Sequence, residues 1–324
     1  MRAIRVHESG PPEVLRLEQL PDPVPADGQL LVRVGAAGVN PVETYIRSGI
    51  AAGPPMPYTP GSDAAGVVEA IGPGVAATAV GQRVYITGTL TGAYAELALC
   101  RHGNVFPLPA SLSMAQGAAI AVPYGTAYRA LFQRGRGAAG ETVLVHGAAG
   151  GVGLAAVQLA AAAGMTVIGS ASTDDGRRLI LAQGAAHAVD HSLPAHGQEV
   201  LELTGGRGVD LVVEMRADVN LGADLALLAA RGRVVCVGNR GAGNQGEVAV
   251  NARDLMRREG DVLGVMLPNA EHDDMAEMHD ALARGFARGE LRPVIAREYR
   301  LEEVAQAHRD VEEGHSLGKL VLVP

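Results

Sequence analysis

The sequence predicts an α/β protein: a doubly wound parallel (Rossmann) sheet domain joined to a mostly β domain that is discontinuous in sequence. Three observations predict it. Short strands separated by Gly/Pro turns fill the chain before about residue 110. Apolar strands alternate with helical stretches from roughly 113 to 285. Strand character then returns from about 290. The domains are drawn as 1–122 with 289–324, and 123–288.

In the first region RAIRV, QLLVRVGAAGV, AAGVVEAIG, RVYITG and AYAELALC read as strands, with PPE, PDPVPADG and AAGPPMPYTPG as breakers. VETYIRSG, from Val42, reads as one or two helical turns stopped by Gly49. In the middle region TVLVHG, MTVIGSA, HAVDH, VDLVVEM, GRVVCVG and DVLGVM are near-continuous apolar runs, as strands covered on both faces require. GAGNQGEV looks like an insertion after one of them. LRPVIAREYRL and GKLVLVP read as closing strands that flank a helix starting near Glu302 and rejoin the first domain.

The 324 residues suffice for about two domains, and 48% hydrophobic with 19% charged residues suits large aliphatic cores. With 27 basic and 35 acidic residues the net charge is −8, which argues against nucleic acid as the main partner. The opening MRAIRVHESGPPEV has no apolar h-region, and Leu154 to Ala163 is about half a membrane span, so no membrane partner and a cytoplasmic location are expected. Cys100 and Cys236 form no C-x-x-C pair, so neither a disulfide framework nor a structural zinc site is expected.

HGAAGGVG, His146 to Gly153, follows a predicted strand and opens a predicted helix. Small residues there allow a tight turn, let backbone amides approach a pyrophosphate and let helix pack closely on strand. The strand that follows ends in Ser170, Ser172 and Thr173, with no carboxylate for a ribose 2′-hydroxyl. Arg177 and Arg178 lie close behind, and one of them reaches a 2′-phosphate on this reading, so NADPH is the expected cofactor. Asp174 and Asp175 fit a helix first turn, where the dipole favours them.

Taken together, GVNPVETYIRSG (38–49), PYTPGSDAAGVVEAIG (57–72), PYGTAYRAL (123–131), VLVHGAAGGVGLAAVQLA (143–160), GRVVCVGNRG (232–241) and the closing GKLVLV resemble the zinc-independent, zeta-crystallin-like quinone oxidoreductases of the medium-chain dehydrogenase/reductase superfamily. The resemblance implies that the β domain is GroES-like. Where the superfamily's metal-dependent alcohol dehydrogenases carry a Cys and a Gly-His-Glu, this chain has Gly38-Val39-Asn40 and Gly61-Ser62-Asp63, so no metal is expected.

The resemblance also implies cofactor contacts. Asn40 and Tyr45 would sit near the nicotinamide and are the candidates for orienting substrate. Thr126 would lie under the nicotinamide, and Ala149, Gly150, Gly151 and Val152 would cradle the pyrophosphate. Ser172, Arg177 and His191 would surround the adenosine ribose and its phosphate. Asn220 with Gly238, Asn239 and Arg240 would line the far side, Val265 and Met266 would approach the nicotinamide, and Lys319 would meet the phosphates. No catalytic residue is assigned. His146 reads as a satisfied strand-end histidine, Asp63 as a turn-bonding carboxylate, and both cysteines as inert.

The function this implies is reduction of a quinone by transfer from nicotinamide C4 in a cleft between the domains, because the reduced oxygen is stabilised by aromatisation and needs no Lewis acid. Reduction of an activated C=C bond in an enone or alkenal uses the same cofactor but needs a proton donor, for which Tyr45 is the candidate. A protein that holds NADPH without turnover is the third reading. A homodimer is implied by family likeness, with DVLGVM as the candidate edge.

Overall fold

The computed structural model describes residues 1–76, 78–239, 246–314 and 316–324. The chain forms two compact units, Met1–Val122 with Arg292–Pro324, and Pro123–Leu291.

The first unit is built on a seven-stranded sheet. Strands β1 (Arg2–Arg5) and β2 (Arg16–Gln19) pair antiparallel as a separate ribbon. β3 (Gln29–Val39), β4 (Ala64–Ile71), β5 (Arg83–Ile86), β6 (Leu97–Arg101) and β7 (Val105–Pro107) follow. After the second unit come β14 (Ile295–Arg300) and β15 (Lys319–Val323). The order is β14-β15-β3-β4-β5-β7, with β6 also on β3. β15 pairs antiparallel with β3, Leu320 opposite Val39, so the two sequence-distant segments make one sheet, as expected. The core gathers Ile4, Leu30, Val32, Ile86, Tyr94 and Tyr299, all almost fully buried.

Helix α1 (Pro41–Ser48) crosses from β3 towards β4. Pro41 supplies the fixed φ of a first helical position, and Glu43 reaches back to the Asn40 backbone N–H at 2.7 Å. Gly49 ends the helix at φ +83°, a conformation that costs glycine little. α2 (Met114–Gly117) packs on β3 and β4, and α10 (Val304–Glu313) on β15.

α3 (Ala121–Tyr128) enters the second unit at Pro123 and is continued by a π-helical turn over Arg129–Arg134. Then strands and helices alternate: β8 (Thr142–Val145), α4 (Gly151–Ala162), β9 (Thr166–Ser170), α5 (Asp174–Ala182), β10 (His187–Val189), α6 (His196–Leu203), β11 (Val209–Glu214), α7 (Ala217–Leu227), β12 (Leu228–Cys236), α8 (Ala252–Arg258), β13 (Asp261–Gly264) and α9 (His272–Ala287). All six strands are parallel, in the order β10-β9-β8-β11-β12-β13. Strand order therefore reverses between β8 and β11, the switch point where doubly wound sheets take ligands. Val143, Leu144, Val145, Leu211, Val212 and Val213 are wholly buried, which explains the unbroken apolar runs. Among the described residues no helix is long and apolar enough to cross a membrane.

Candidate active site

The turn between β8 and α4 carries the glycines of the motif. Gly147 sits at φ +55°. A Cβ on Gly153 would lie 2.4 Å from the Gly147 carbonyl oxygen and 2.6 Å from Ala148 Cα, so only hydrogen fits there. α4 begins after Gly150, which offers no side-chain cap, and eight of its residues from Gly153 on are buried. The helix therefore presents its first-turn amides uncapped, an electrically positive, side-chain-free anion site. A dinucleotide pyrophosphate fits that cradle.

Around the turn, the carboxyl ends of the parallel strands gather the other candidates of this unit. Ser172 follows β9 and is exposed, and His191, also exposed, follows β10. Asn220 lies on α7, Gly238 and Asn239 follow β12, and Val265 and Met266 follow β13, with Met266 61% exposed. Thr126 is half-buried on α3. Arg240 lies outside the described residues, as do 241–245 of the insertion. Arg177 on α5 already has partners: its guanidinium donates to the Ala171 carbonyl at 3.1 Å, pairs with Asp190 at 2.8 Å and contacts Asp174. Arg178 pairs with Asp175 on an exposed face.

Behind this edge lies a buried polar cluster. His146, directly after β8, bonds Asp224 of α7 through Nε2 at 2.8 Å, and the same nitrogen is 3.5 Å from Glu214 at the end of β11. The Ser170 hydroxyl lies 3.3 Å from Nδ1 of His146 and 3.1 Å from Nδ1 of His191. Oε2 of Glu214 and Oδ2 of Asp224 have no hydrogen-bond partner among the described residues. Burial pushes Glu214 up to about 8, with Asp224 adding to it, and burial pushes Asp224 up to about 7. The expected satisfied strand-end role of His146 is what the structure shows.

The first unit holds a second buried cluster where metal-dependent relatives would bind zinc. Asn40 Nδ2 donates to Asp63 at 2.8 Å and to Glu43 at 3.2 Å, while its Oδ1 accepts from Lys319 Nζ. Lys319 also donates to the Val39 carbonyl at 2.6 Å. The second oxygen of Asp63 accepts the Val122 N–H, so this carboxylate indeed braces backbone. Burial raises Glu43 to about 7, reinforced by Asp63 and opposed by Lys319. Asn40 is 2% exposed and both ends of its amide are occupied, and the Lys319 ammonium is turned inward. Tyr45, one turn along α1, is half-buried, and its hydroxyl has no hydrogen-bond partner among the described residues. A zinc ion does not fit: a carboxamide and Ser62 stand where a thiolate and an imidazole are needed, and an ammonium already balances the acids.

Glu43, Glu214 and Asp224 were not singled out by the sequence. Each nevertheless carried a signal: Glu43 is three residues into a helix after Asn-Pro, Glu214 ends the apolar run LVVE, and Asp224 is the lone charge in ADLALL.

Residues 26–110 match the alcohol dehydrogenase GroES-like domain, and residues 151–284 match the zinc-binding dehydrogenase family. Human quinone oxidoreductase is 45% identical over 326 residues, spanning 100% of this chain and 98% of that protein. Quinone oxidoreductase of Pseudomonas aeruginosa is 34% identical, spanning 97% of both. Among solved structures, Escherichia coli quinone oxidoreductase complexed with NADPH superposes with a TM-score of 0.91 at 30% identity, covering 100% of each chain. A mycobacterial protein complexed with NADPH gives 0.90 at 32%, again covering 100% of each. With its motifs, its split sheet and its uncapped glycine turn matched end to end, the chain belongs to the quinone oxidoreductase family of the medium-chain dehydrogenase/reductase superfamily.

Proposed function

We propose that this chain is an NADPH-dependent quinone reductase that works without a metal. One observation carries the reading: an uncapped helix start and a glycine turn too tight for any side chain lie at the switch point of a six-stranded parallel sheet. When bound, NADPH supplies from nicotinamide C4, together with a proton from solvent, the two electrons that convert a quinone to a hydroquinone.

The chain's own residues bind and orient. The backbone of Ala149, Gly150, Gly151 and Val152 holds the pyrophosphate. Ser172 and His191 border the adenosine ribose, and Arg177 turns from Asp174 towards the 2′-phosphate. Thr126, Val265 and Met266 flank the nicotinamide, with Asn220, Gly238 and Asn239 beside it. Lys319 and Asn40 act as a pair: the ammonium fixes the amide, and the amide fixes α1, so Tyr45 is the group left to hydrogen-bond substrate. Because both quinone oxygens end on an aromatic ring, one such donor suffices.

The free Tyr45 hydroxyl supports a second activity, reduction of enones, in which that group protonates the α-carbon. We also read the protein as a cytoplasmic homodimer joined through β13, the outer strand of its sheet, where Val262 is 43% exposed. The test is steady-state oxidation of NADPH and NADH with ortho- and para-quinones, with and without chelator. Turnover that favours NADPH and ignores chelator is expected. No oxidation with any quinone, or loss of activity on chelation, refutes the proposal.

A further inference from the structure

The buried cluster of the second unit has a direction. Among the described residues His146 Nε2 faces only carboxyl acceptors, Asp224 at 2.8 Å and Glu214 at 3.5 Å, so this nitrogen carries the proton. Asp224 Oδ1 is the acceptor of that proton, with Glu214 the carboxyl pushed further towards its protonated form by burial and by Asp224. Burial keeps the His146 imidazole neutral, which leaves its Nδ1 bare. The Ser170 hydroxyl, 3.3 Å away, must then donate to that nitrogen. A hydroxyl has a single proton, so its oxygen accepts from Nδ1–H of His191 at 3.1 Å. Exposed at its outer edge, the His191 ring is desolvated where it meets Ser170, which with His146 pushes its pKa down, and a neutral ring with its proton on Nδ1 carries a lone pair on Nε2.

We propose that Asp224 is a positioning residue for the cofactor: through His146 and Ser170 it fixes the tautomer of His191, which thereby offers an acceptor at Nε2 to an adenosine ribose hydroxyl. This rests on the reading that His191 borders the ribose. It assigns His191 a role different from Arg177, because a neutral imidazole with a bare nitrogen recognises a hydroxyl and repels a phosphate oxygen. The Asp224 side chain is 1% exposed, so its effect travels by proton placement through His146 and Ser170.

Long-range proton–nitrogen NMR on the full chain, labelled at histidine, reads the tautomers directly, and His146→Gln and His191→Gln assign the signals. The expected spectrum has the proton of His146 on Nε2 and that of His191 on Nδ1, with and without NADPH. Asp224→Ala is expected to let both rings sample both tautomers. Ser170→Ala, a milder change should Asp224→Ala not fold, is expected to release His191 alone. Ser170→Ala and His191→Ala should each raise the NADPH Kd about fivefold, the scale of one hydrogen bond, and the double variant should do no worse.

A His191 proton on Nε2 overturns the proposal. So does a Ser170→Ala protein that binds NADPH normally while His191→Ala does not. Stoichiometric zinc or manganese in the purified chain, lost in Asp224→Ala, also overturns it, because a ligated Nε2 has no proton to donate. An unchanged Kd in His191→Ala overturns the placement of His191 at the ribose and with it the purpose of the relay. The spectra separate that failure from a failure of the relay itself.

Discussion

Replacing Lys319 by Met removes one charge from a site where three are interlocked. The methionine preserves the stem's packing, so the perturbation is electrostatic: Glu43 and Asp63 lose their ammonium, and Asn40 Oδ1 and the Val39 carbonyl lose their donor. Lys319 reaches the two acids through Asn40 rather than in direct ion pairs, and leaving the buried acceptors of a charge without their donor costs about 3 kcal/mol. For a domain of this size that lowers the melting temperature by about 10 °C. The loss has a pH signature. Burial pushes Glu43 from its ordinary 4.5 up to about 7 in the folded state, so its protonated form is favoured by folding and its contribution falls away as pH rises between those values. Without Lys319 the carboxylate is opposed still more, so the penalty should be larger at pH 8 than at pH 5. Thermal melts of Lys319→Met across that range, and of Lys319→Met with Glu43→Gln and Asp63→Asn, supply the assay. The triple variant should recover much of the loss. A Lys319→Met protein melting within about 2 °C of the parent at pH 8 would refute the idea that this cation balances the acids.

Gly153→Ala forces a methyl onto Gly147 and Ala148 backbone, and should destabilise by about 1–3 kcal/mol and weaken NADPH at least about tenfold, as melting and titration would read. In the second unit the raised Glu214 and Asp224 mean that the folded state holds extra protons from about pH 4 to 8, so stability should fall as pH rises through that window; Glu214→Gln should flatten the slope of melting temperature against pH. Arg177→Ala should raise the KM for NADPH about tenfold while leaving NADH unchanged, and equal effects on both cofactors would remove Arg177 from the phosphate. Tyr45→Phe should abolish enone turnover, where its proton is consumed, and slow quinone turnover by only about fivefold, the scale of one lost hydrogen bond, as NADPH oxidation with each acceptor would read.

Local patterns made much of the fold legible. Buried parallel strands announce themselves as apolar runs, and the start of α1 at Asn40-Pro41 and its stop at Gly49 lie within one short stretch of sequence. β2 went unread because Arg16–Gln19 buries little and its pairing with β1 is what makes it a strand. The π-helical turn over Arg129–Arg134 depends on packing that no periodicity encodes. The phosphate cradle was legible because its chemistry is backbone chemistry, advertised by missing side chains. The two charge clusters were not: Asn40 and Lys319 are 279 residues apart, and His146 and Asp224 are 78 apart. Pairing across such distances is decided by topology. That is also why Lys319, read as reaching for phosphate, turns out to hold Asn40.

The pairing of β15 with β3 has a consequence for synthesis. On a ribosome adding about 5–20 residues per second, Val39 waits roughly 15–60 s for Lys319, 280 residues downstream. Every strand of the nucleotide sheet is made during that interval, so the inserted unit completes itself first. The nascent first unit meanwhile carries two acids without their counter-ion and an open seam along β3. A single five-residue segment then closes the seam and delivers the missing charge in one event, which makes its arrival the step that commits the earlier-made half to its final form.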